Sequence, residues 1–449
     1  MLLARNSNQL FESLWATFKL GAIWVPCNYR LTAPEVAYIA ASSGAKAMIS
    51  DADSHEQRAA VGAEETAVRH HILIAPAGEG PGGIGGGGTS SGEHDDEGED
   101  FDALVAAHLG QHHGEADVAY DDPCWYFFTS GTTGRPKAAI LTHGQMAFVT
   151  NNHIADLMPG LAPDHASLVV APLSHGAGVH ALAQVAKGAV SVITDGPAFD
   201  EAHCWQLVER HRVSNMFTVP TILTRLVRHP TVETCDHSSL QHVIYAGAPM
   251  YREDQKLALE KLGKVIVQYY GLGEVTGNIT VLPATEHSLE DAAMRVGSCG
   301  FPRTGMEVAI KDPEGRRLSA GEAGEICVRG PAVFAGYLNN PEANAKSLKE
   351  GWFHSGDLGK LDEAGYLWIT GRASDMYISG GSNVYPREAE ELLLTHPAVA
   401  EVAVLGVPDR EWGESGVAVV VPAVPLPDDP AALAGEILGG LTDTLARYK

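Results

Sequence analysis

The run Thr129-Ser130-Gly131-Thr132-Thr133-Gly134-Arg135-Pro136-Lys137 gathers hydroxyls and glycines and closes on a cation. It directly follows the apolar run Cys124-Trp125-Tyr126-Phe127-Phe128, which reads as a buried strand delivering a turn. Such a turn can curl backbone N–H groups around phosphate oxygens, and Lys137 adds a point charge to the same anion. A nucleotide is the first ligand this suggests. The run is not a Walker A loop, because Pro136 intervenes between Gly134 and Lys137. Taken alone, it suits an exposed turn with no ligand equally well.

The elements around it must hold such a turn in place. From Cys124 to Gly271, apolar runs alternate with amphipathic stretches. Leu168 to Leu173, Val190 to Thr194, Asn215 to Val219, Val243 to Ala246 and Val265 to Tyr270 read as strands, with helices such as Asp200 to His211 between them. That alternation predicts a parallel α/β sheet. Asp200 suits an N-cap, and Gly263 closes a helix running from Arg252 to Leu262.

Beyond Gly297 the texture changes to short strands and glycine turns, as in Glu307 to Gly315, which predicts a small antiparallel sheet or barrel. A last unit begins near Gly371: Pro386 opens a helix running through Leu394, and Val399 to Val407 and Gly416 to Val421 follow as strands of a small α+β lid. Pro76 to His113 is glycine-rich and then acidic, with little to bury, and reads as a flexible surface loop. Its acidic run lacks the spacing of an EF-hand, so it reads as solvated charge rather than a metal site, as do the pairs His70-His71 and His112-His113.

A chain of 449 residues has room for two or three structural units. Its 31 Lys and Arg against 56 Asp and Glu give a net charge of −25, which argues against nucleic acid or an anionic membrane as partner. The six cysteines are scattered, with no Cys-x-x-Cys pair and no Cys/His zinc spacing, and read as small buried hydrophobes in a reducing cytosol. The opening residues turn polar too soon for a signal peptide, and no apolar run approaches membrane-spanning length, so a soluble cytoplasmic protein is expected.

Four further segments follow the loop in order: Ala171-Pro172-Leu173-Ser174-His175-Gly176-Ala177-Gly178, Tyr269-Tyr270-Gly271-Leu272-Gly273-Glu274, Gly351-Trp352-Phe353-His354-Ser355-Gly356-Asp357-Leu358, and Gly371 to Gly381. With the opening loop they closely resemble the adenylate-forming acyl-CoA synthetases, a superfamily that also holds luciferases and the adenylation domains of peptide synthetases. The likeness runs from Leu10 to Lys449. It implies a large N-terminal domain (residues 1–371) of parallel α/β sheets with a small β-barrel, and a small mobile α+β C-terminal domain (residues 372–449), here incomplete. It further implies that a carboxylate attacks the α-phosphate of ATP and expels pyrophosphate, after which the CoA thiol attacks the acyl-adenylate and expels AMP.

The resemblance distributes roles. Thr129, Ser130, Gly131, Thr132, Thr133, Gly134 and Lys137 would hold phosphates, with Lys137 among the catalytic groups, and Glu274 and Thr132 would bind Mg²⁺. Glu274 follows Gly271 at a strand end, where parallel sheets bind ligands; the alternative is a surface glutamate. Tyr270 offers a flat face to adenine, and the side-chain-poor Ala246-Gly247-Ala248-Pro249 packs on its other side; a core tyrosine is the competing reading. Asp357 can accept both ribose hydroxyls, and Arg372 can reach ribose or phosphate; outside this company both are ordinary surface charges. His175 would border the acyl pocket near the forming anhydride as a catalytic group, or else be a satisfied core histidine. Gly380 and Gly381 would line the CoA pantetheine tunnel or merely form a tight turn, and Ser374 occupies the hinge position.

Departures are also legible. Ala138 stands where the loop usually ends in glycine, Gly273 stands where a threonine usually contacts phosphate, and Ser374 stands where Asp or Lys is common. The resemblance implies a catalytic lysine in a segment beyond Lys449, the only lysine after Lys360, so both ends are read as truncated. Adenylation is then expected to slow by at least ~10²–10³-fold, as when one transition-state donor is removed.

The leading expectation is a Mg²⁺- and ATP-dependent carboxylic acid:CoA ligase acting on an aryl, hydroxycinnamate-like or fatty acid, with room for a homodimer. Two others stand beside it: an acyl-AMP ligase serving a carrier-protein thiol, and a non-catalytic nucleotide- or acyl-binding remnant.

Overall fold

The computed structural model describes residues 1–75, 98–129, 135–194, 198–248, 250–379, 382–410, 412–423, 425–426 and 429–439. The chain divides into two compact units. The first comprises Met1–Val296, Pro302–Glu307 and Arg329–Leu348; the second comprises Gly297–Phe301, Val308–Val328 and Lys349–Lys449.

The first unit is built on parallel sheets. In the larger one Val190–Ile193, Ala166–Val169, Asn215–Thr218, His242–Tyr245 and Ile266–Tyr270 lie side by side and parallel. Each predicted strand is present; three are one residue shorter at one end, while Ala166–Val169 and His242–Tyr245 begin and end earlier than expected. The helix Glu201–His211 carries the expected cap: the Asp200 carboxylate accepts from His203 N at 2.9 Å. Arg252–Leu262 ends at Gly263, whose φ of +77° lies in the left-handed region that favours glycine. Trp205 and Val208 of the former helix pack with Leu168, Met216, Val243 and Ile266 of the sheet. Full burial of such side chains is worth roughly 1.5–3 kcal/mol each. The indole N–H of Trp205 is not left unpaired, since it donates to Leu226 O at 3.0 Å.

One feature departs from expectation. Pro123–Thr129 is not a member of the parallel sheet; it forms an antiparallel hairpin with Lys137–Thr142. The reason is length, because the connection between them is far too short for a parallel crossover, which takes a dozen residues or more. A second parallel sheet, ordered Pro26–Cys27, Leu2–Leu3, Ala47–Asp51, His70–Ile74 and Glu99–Asp100, agrees with the more than one parallel sheet that the resemblance implies, but its individual strands were not read from the residues. Three of its strands are two residues long, too short to show a period. Of the tract from Pro76 to His113, residues 76–97 lie outside the described residues, while Phe101–His108 is a helix capped by Asp100, whose carboxylate accepts from Ala103 N at 2.7 Å.

In the second unit Gly324–Arg329, Trp352–Leu361 and Leu367–Arg372 form an antiparallel sheet, with Glu307–Lys311 at its edge. Ser382–Val384, Tyr377–Ser379, Gly413–Pro422 and Val399–Asp409 form another, on which the helix Pro386–Leu393 packs through Ala389 and Leu393. Among the described residues no helix is long and apolar enough to cross a membrane.

Candidate active site

The hairpin fixes both ends of the phosphate-cradle candidate. Thr129 and Lys137 face each other as its last pair, so the intervening run starts and finishes at one place. Ser130, Gly131, Thr132, Thr133 and Gly134 lie outside the described residues. Thr129 Oγ1 donates to Glu274 Oε1 at 3.1 Å, joining two of the residues selected from sequence.

Glu274 sits in the short 3-10 turn Gly273–Val275, just past the strand Ile266–Tyr270. The turn is tight because its glycines touch other chain segments. A Cβ on Gly271 would come within 2.2 Å of the Gly277 backbone, and one on Gly273 would meet Phe127 Cδ1 at 2.7 Å and Thr129 Cγ2 at 2.8 Å. The glycine at 273, a departure from the family pattern, therefore matches the bulk of Phe127 beside it.

Tyr337 is a site residue that sequence reasoning missed. Its hydroxyl donates to Glu274 Oε1 at 2.8 Å, and Lys137 Nζ lies 5.4 Å from its ring centroid. Burial, and then the Glu274 carboxylate, push the Tyr337 hydroxyl well above its ordinary pKa, so it stays a donor. Backbone bonds hold the segment: Phe334 N donates to Glu274 O at 2.8 Å, and Tyr337 N donates to Asn344 Oδ1 at 2.6 Å. Its only local sign in the sequence is an aromatic after Gly336.

Glu274 is buried, and among the described residues Oε2 accepts no hydrogen bond. A carboxylate with one oxygen free and hydroxyl oxygens alongside is a hard donor set that suits a small divalent cation.

Beside this cluster lies a cavity of about 340 Å³, lined by His175, Phe127, Val179, Phe217 and Tyr269 among others. Val219, Gly247 and Gly271, which also line it, come just after the ends of three parallel strands, where binding sites of such sheets form. His175 caps the helix Gly176–Lys187, its Nδ1 is 2.8 Å from Ser174 Oγ, and its ring meets Phe127 edge-on at 5.8 Å. Burial lowers its pKa below the ordinary 6.5, so it is neutral at pH 7. Gly247 and Ala248 are exposed after the strand His242–Tyr245, Tyr270 is half-buried at the end of its strand, and Pro249 lies outside the described residues.

The second unit holds the remaining candidates. Asp357 and Arg372 are register partners, and Arg372 Nε lies 3.1 Å from Asp357 Oδ1, with the aspartate buried and the arginine largely exposed. Ser374 is exposed in the following turn and donates to Asp375 Oδ1 at 2.8 Å. Gly380, Gly381 and Lys449 lie outside the described residues. Sequence spacing also missed a trio: the ligand atoms of Glu325, Cys327 and His354 lie within 4.8 Å of one another. His354 Nδ1 is 2.7 Å from Glu325 Oε2, and burial pushes the Cys327 thiol up to about 12, so it stays protonated.

Comparison with known proteins is consistent across the chain. The family model for AMP-binding enzymes matches residues 1–338, and that for the AMP-binding enzyme C-terminal domain matches residues 388–449. A feruloyl-CoA synthase of an Amycolatopsis species is 37% identical over 450 residues, covering 100% of this chain and 82% of the relative. An indoleacetate–CoA ligase of Aromatoleum aromaticum is 33% identical, with the same coverage of 100% and 82%. Among solved structures, o-succinylbenzoate CoA synthetase of Bacillus subtilis, in complex with its acyl-adenylate, superposes with a TM-score of 0.80 at 29% identity, covering 100% of this chain and 82% of that one. The amide bond synthetase of Marinactinospora thermotolerans gives a TM-score of 0.84 at 27% identity, covering 100% and 83%.

Proposed function

The chain belongs to the AMP-binding enzyme family, and from that membership we propose how its residues divide the work of an ATP-dependent carboxylic acid:CoA ligase. The reaction joins a carboxylate to AMP with release of pyrophosphate, then transfers the acyl group to the CoA thiol with release of AMP. Two anions must meet in the first step, so the protein's task is to neutralise charge on the triphosphate as it reorganises.

Thr129 and Lys137 hold the ends of the phosphate cradle, and Ser130, Gly131, Thr132, Thr133 and Gly134 supply its N–H donors. Glu274, with Thr132, binds Mg²⁺, which when bound would offset charge on the phosphate oxygens. Tyr337 and Thr129 orient the Glu274 carboxylate by donating to one oxygen and leaving the other for the ion. His175 borders the acid as a neutral ring, so it adds no positive charge of its own in the ground state. Tyr270 stacks on adenine with Gly247, Ala248 and Pro249 on its other side. Asp357 accepts from the ribose hydroxyls and Arg372 reaches ribose or phosphate. Gly380 and Gly381 leave space for pantetheine, and Ser374 is the hinge between residues 1–371 and 372–449. The setting is cytoplasmic, where ATP and CoA are at hand.

The observation that carries this reading is the Thr129–Glu274–Tyr337 cluster beside a cavity at the carboxyl ends of the parallel strands. A second reading, transfer to an acceptor other than CoA, draws support from the likeness to an amide bond synthetase. Two assays on this chain test the proposal: acid-dependent ATP–pyrophosphate exchange, and AMP release from a supplied acyl-adenylate with and without CoA. CoA-dependent release that is lost in Glu274→Ala or Asp357→Asn supports the ligase; release indifferent to CoA favours the second reading. Failure of both assays, with no AMP bound, overturns it.

A further inference from the structure

One wall of the cavity beside His175 is aromatic. Phe217 and Tyr269 stack there with ring centroids 5.9 Å apart and an interplanar angle of 23°. Both rings are seated against glycines: a Cβ on Gly176 would come within 2.6 Å of Phe217 Cζ, and one on Gly277 within 2.7 Å of Tyr269 Cε2. Neither position could carry a side chain without displacing the wall.

Behind Tyr269 the interior turns polar. The Arg303 guanidinium lies 5.7 Å from the Tyr269 ring centroid, and its side chain has 0% exposure. Arg303 Nη2 is 3.3 Å from His153 Nδ1, and Nε is 3.7 Å from Asp156 Oδ2. An alkyl tail pushed past the wall would have to displace one partner of a buried ion pair, which is costly because it leaves an uncompensated buried charge. The cavity therefore ends at this tyrosine.

The same residue offers a polar handle. The Tyr269 hydroxyl takes part in no hydrogen bond among the described residues, and it stands beside Gly176 and Gly277, which line the cavity with it. Burial pushes its pKa above the ordinary range, so at neutral pH it is a donor.

We propose that Tyr269 determines acid specificity: its ring stops the acyl group at about one aromatic ring beyond the carboxylate arm, and its hydroxyl donates to an oxygen on the distal edge of that ring. The acid class is then an oxygen-substituted aryl or arylpropenoic acid, not a long-chain fatty acid. This rests on the ligase reading above.

The test is equilibrium binding of non-hydrolysable acyl-sulfamoyl adenosines, which needs no turnover. The acyl groups are 4-hydroxycinnamoyl, cinnamoyl and hexadecanoyl, measured on the wild-type chain and on Tyr269→Phe and Tyr269→Ala. The wild type is expected to favour 4-hydroxycinnamoyl over cinnamoyl by roughly two- to tenfold, the range of one net hydrogen bond. Tyr269→Phe, which keeps the ring, should erase that preference while leaving cinnamoyl affinity unchanged. Tyr269→Ala should raise hexadecanoyl affinity. The inference is overturned if the wild type binds hexadecanoyl as tightly as the aryl analogues, or if Tyr269→Phe keeps the preference. Failure of every analogue to bind the folded wild type would sink the ligase reading as well, whereas equal binding of all three sinks only this one.

Discussion

Tyr337 and Glu274, 63 positions apart in the chain, share a hydrogen bond of 2.8 Å that commits one carboxylate oxygen of Glu274, while among the described residues the other accepts none. In the proposed reaction the tyrosine's part is to orient the carboxylate. Removing its hydroxyl in Tyr337→Phe should raise the Mg²⁺ concentration for half-maximal pyrophosphate exchange by about 10–100-fold, the usual effect of losing an outer-shell partner. Activity at saturating Mg²⁺ should recover most of its wild-type value. A variant with an unchanged Mg²⁺ profile would show that the bond serves packing alone.

Gly273 and Phe127 are sterically matched. Gly273→Thr should destabilise the fold by about 1–3 kcal/mol, the range for overpacking, and slow exchange by displacing Thr129. Combining it with Phe127→Ala should return part of both losses, because the clashing ring is removed. Gly271→Ala meets backbone instead of a side chain, so no neighbouring truncation should rescue it. Urea midpoints of the three variants decide the matter.

His180 and His287 are buried, and burial holds the pKa of each at about 4 rather than 6.5. The unfolded chain takes up these protons near pH 6.5, while the folded chain refuses them until about pH 4. Stability from both is therefore intact above that upper limit and falls with acidification, by up to ~1.4 kcal/mol per pH unit for each histidine. Urea denaturation between pH 7 and 5 should show the loss. In His180→Gln the slope should flatten, since one of the two groups no longer titrates.

Asp357 is buried beside a largely exposed Arg372, and such a half-exposed pair adds at most about 1 kcal/mol to stability. Asp357→Asn should therefore leave the urea midpoint close to wild type while weakening AMP binding at least ~10-fold, as two charge-assisted acceptors for ribose are lost. Calorimetry with AMP reads this directly, and a large stability loss without an affinity change would mark Asp357 as structural.

Much of this was legible in the residues, for physical reasons that also explain the gaps. Glu201–His211 announced itself by its Asp200 cap and its period, and Arg252–Leu262 by its period and the terminal Gly263. The central strands of the large sheet were found because burial on both faces makes them largely apolar, while Val190–Ile193 at the sheet's end is only partly buried. Pro123–Thr129 is as apolar as they are, so composition could not reveal that it pairs antiparallel; the shortness of its connection could have. Tyr337 was missed because what brings it to Glu274 is a tertiary contact with no local period. The likeness to a family picked out Glu274 and Asp357, but the Arg372–Asp357 pairing came only from strand register.

The tie between Phe334 N and Glu274 O adds a second mooring to the one made by Tyr337. Main chain and side chain of a single glutamate are thus gripped by residues three apart in another segment. An inserted residue between Phe334 and Tyr337 would swing the carboxylate even if every contacting group survived. Spacing in that short stretch, more than the identity of the amino acids between its ends, is what the nucleotide-handling chemistry inherits from the fold.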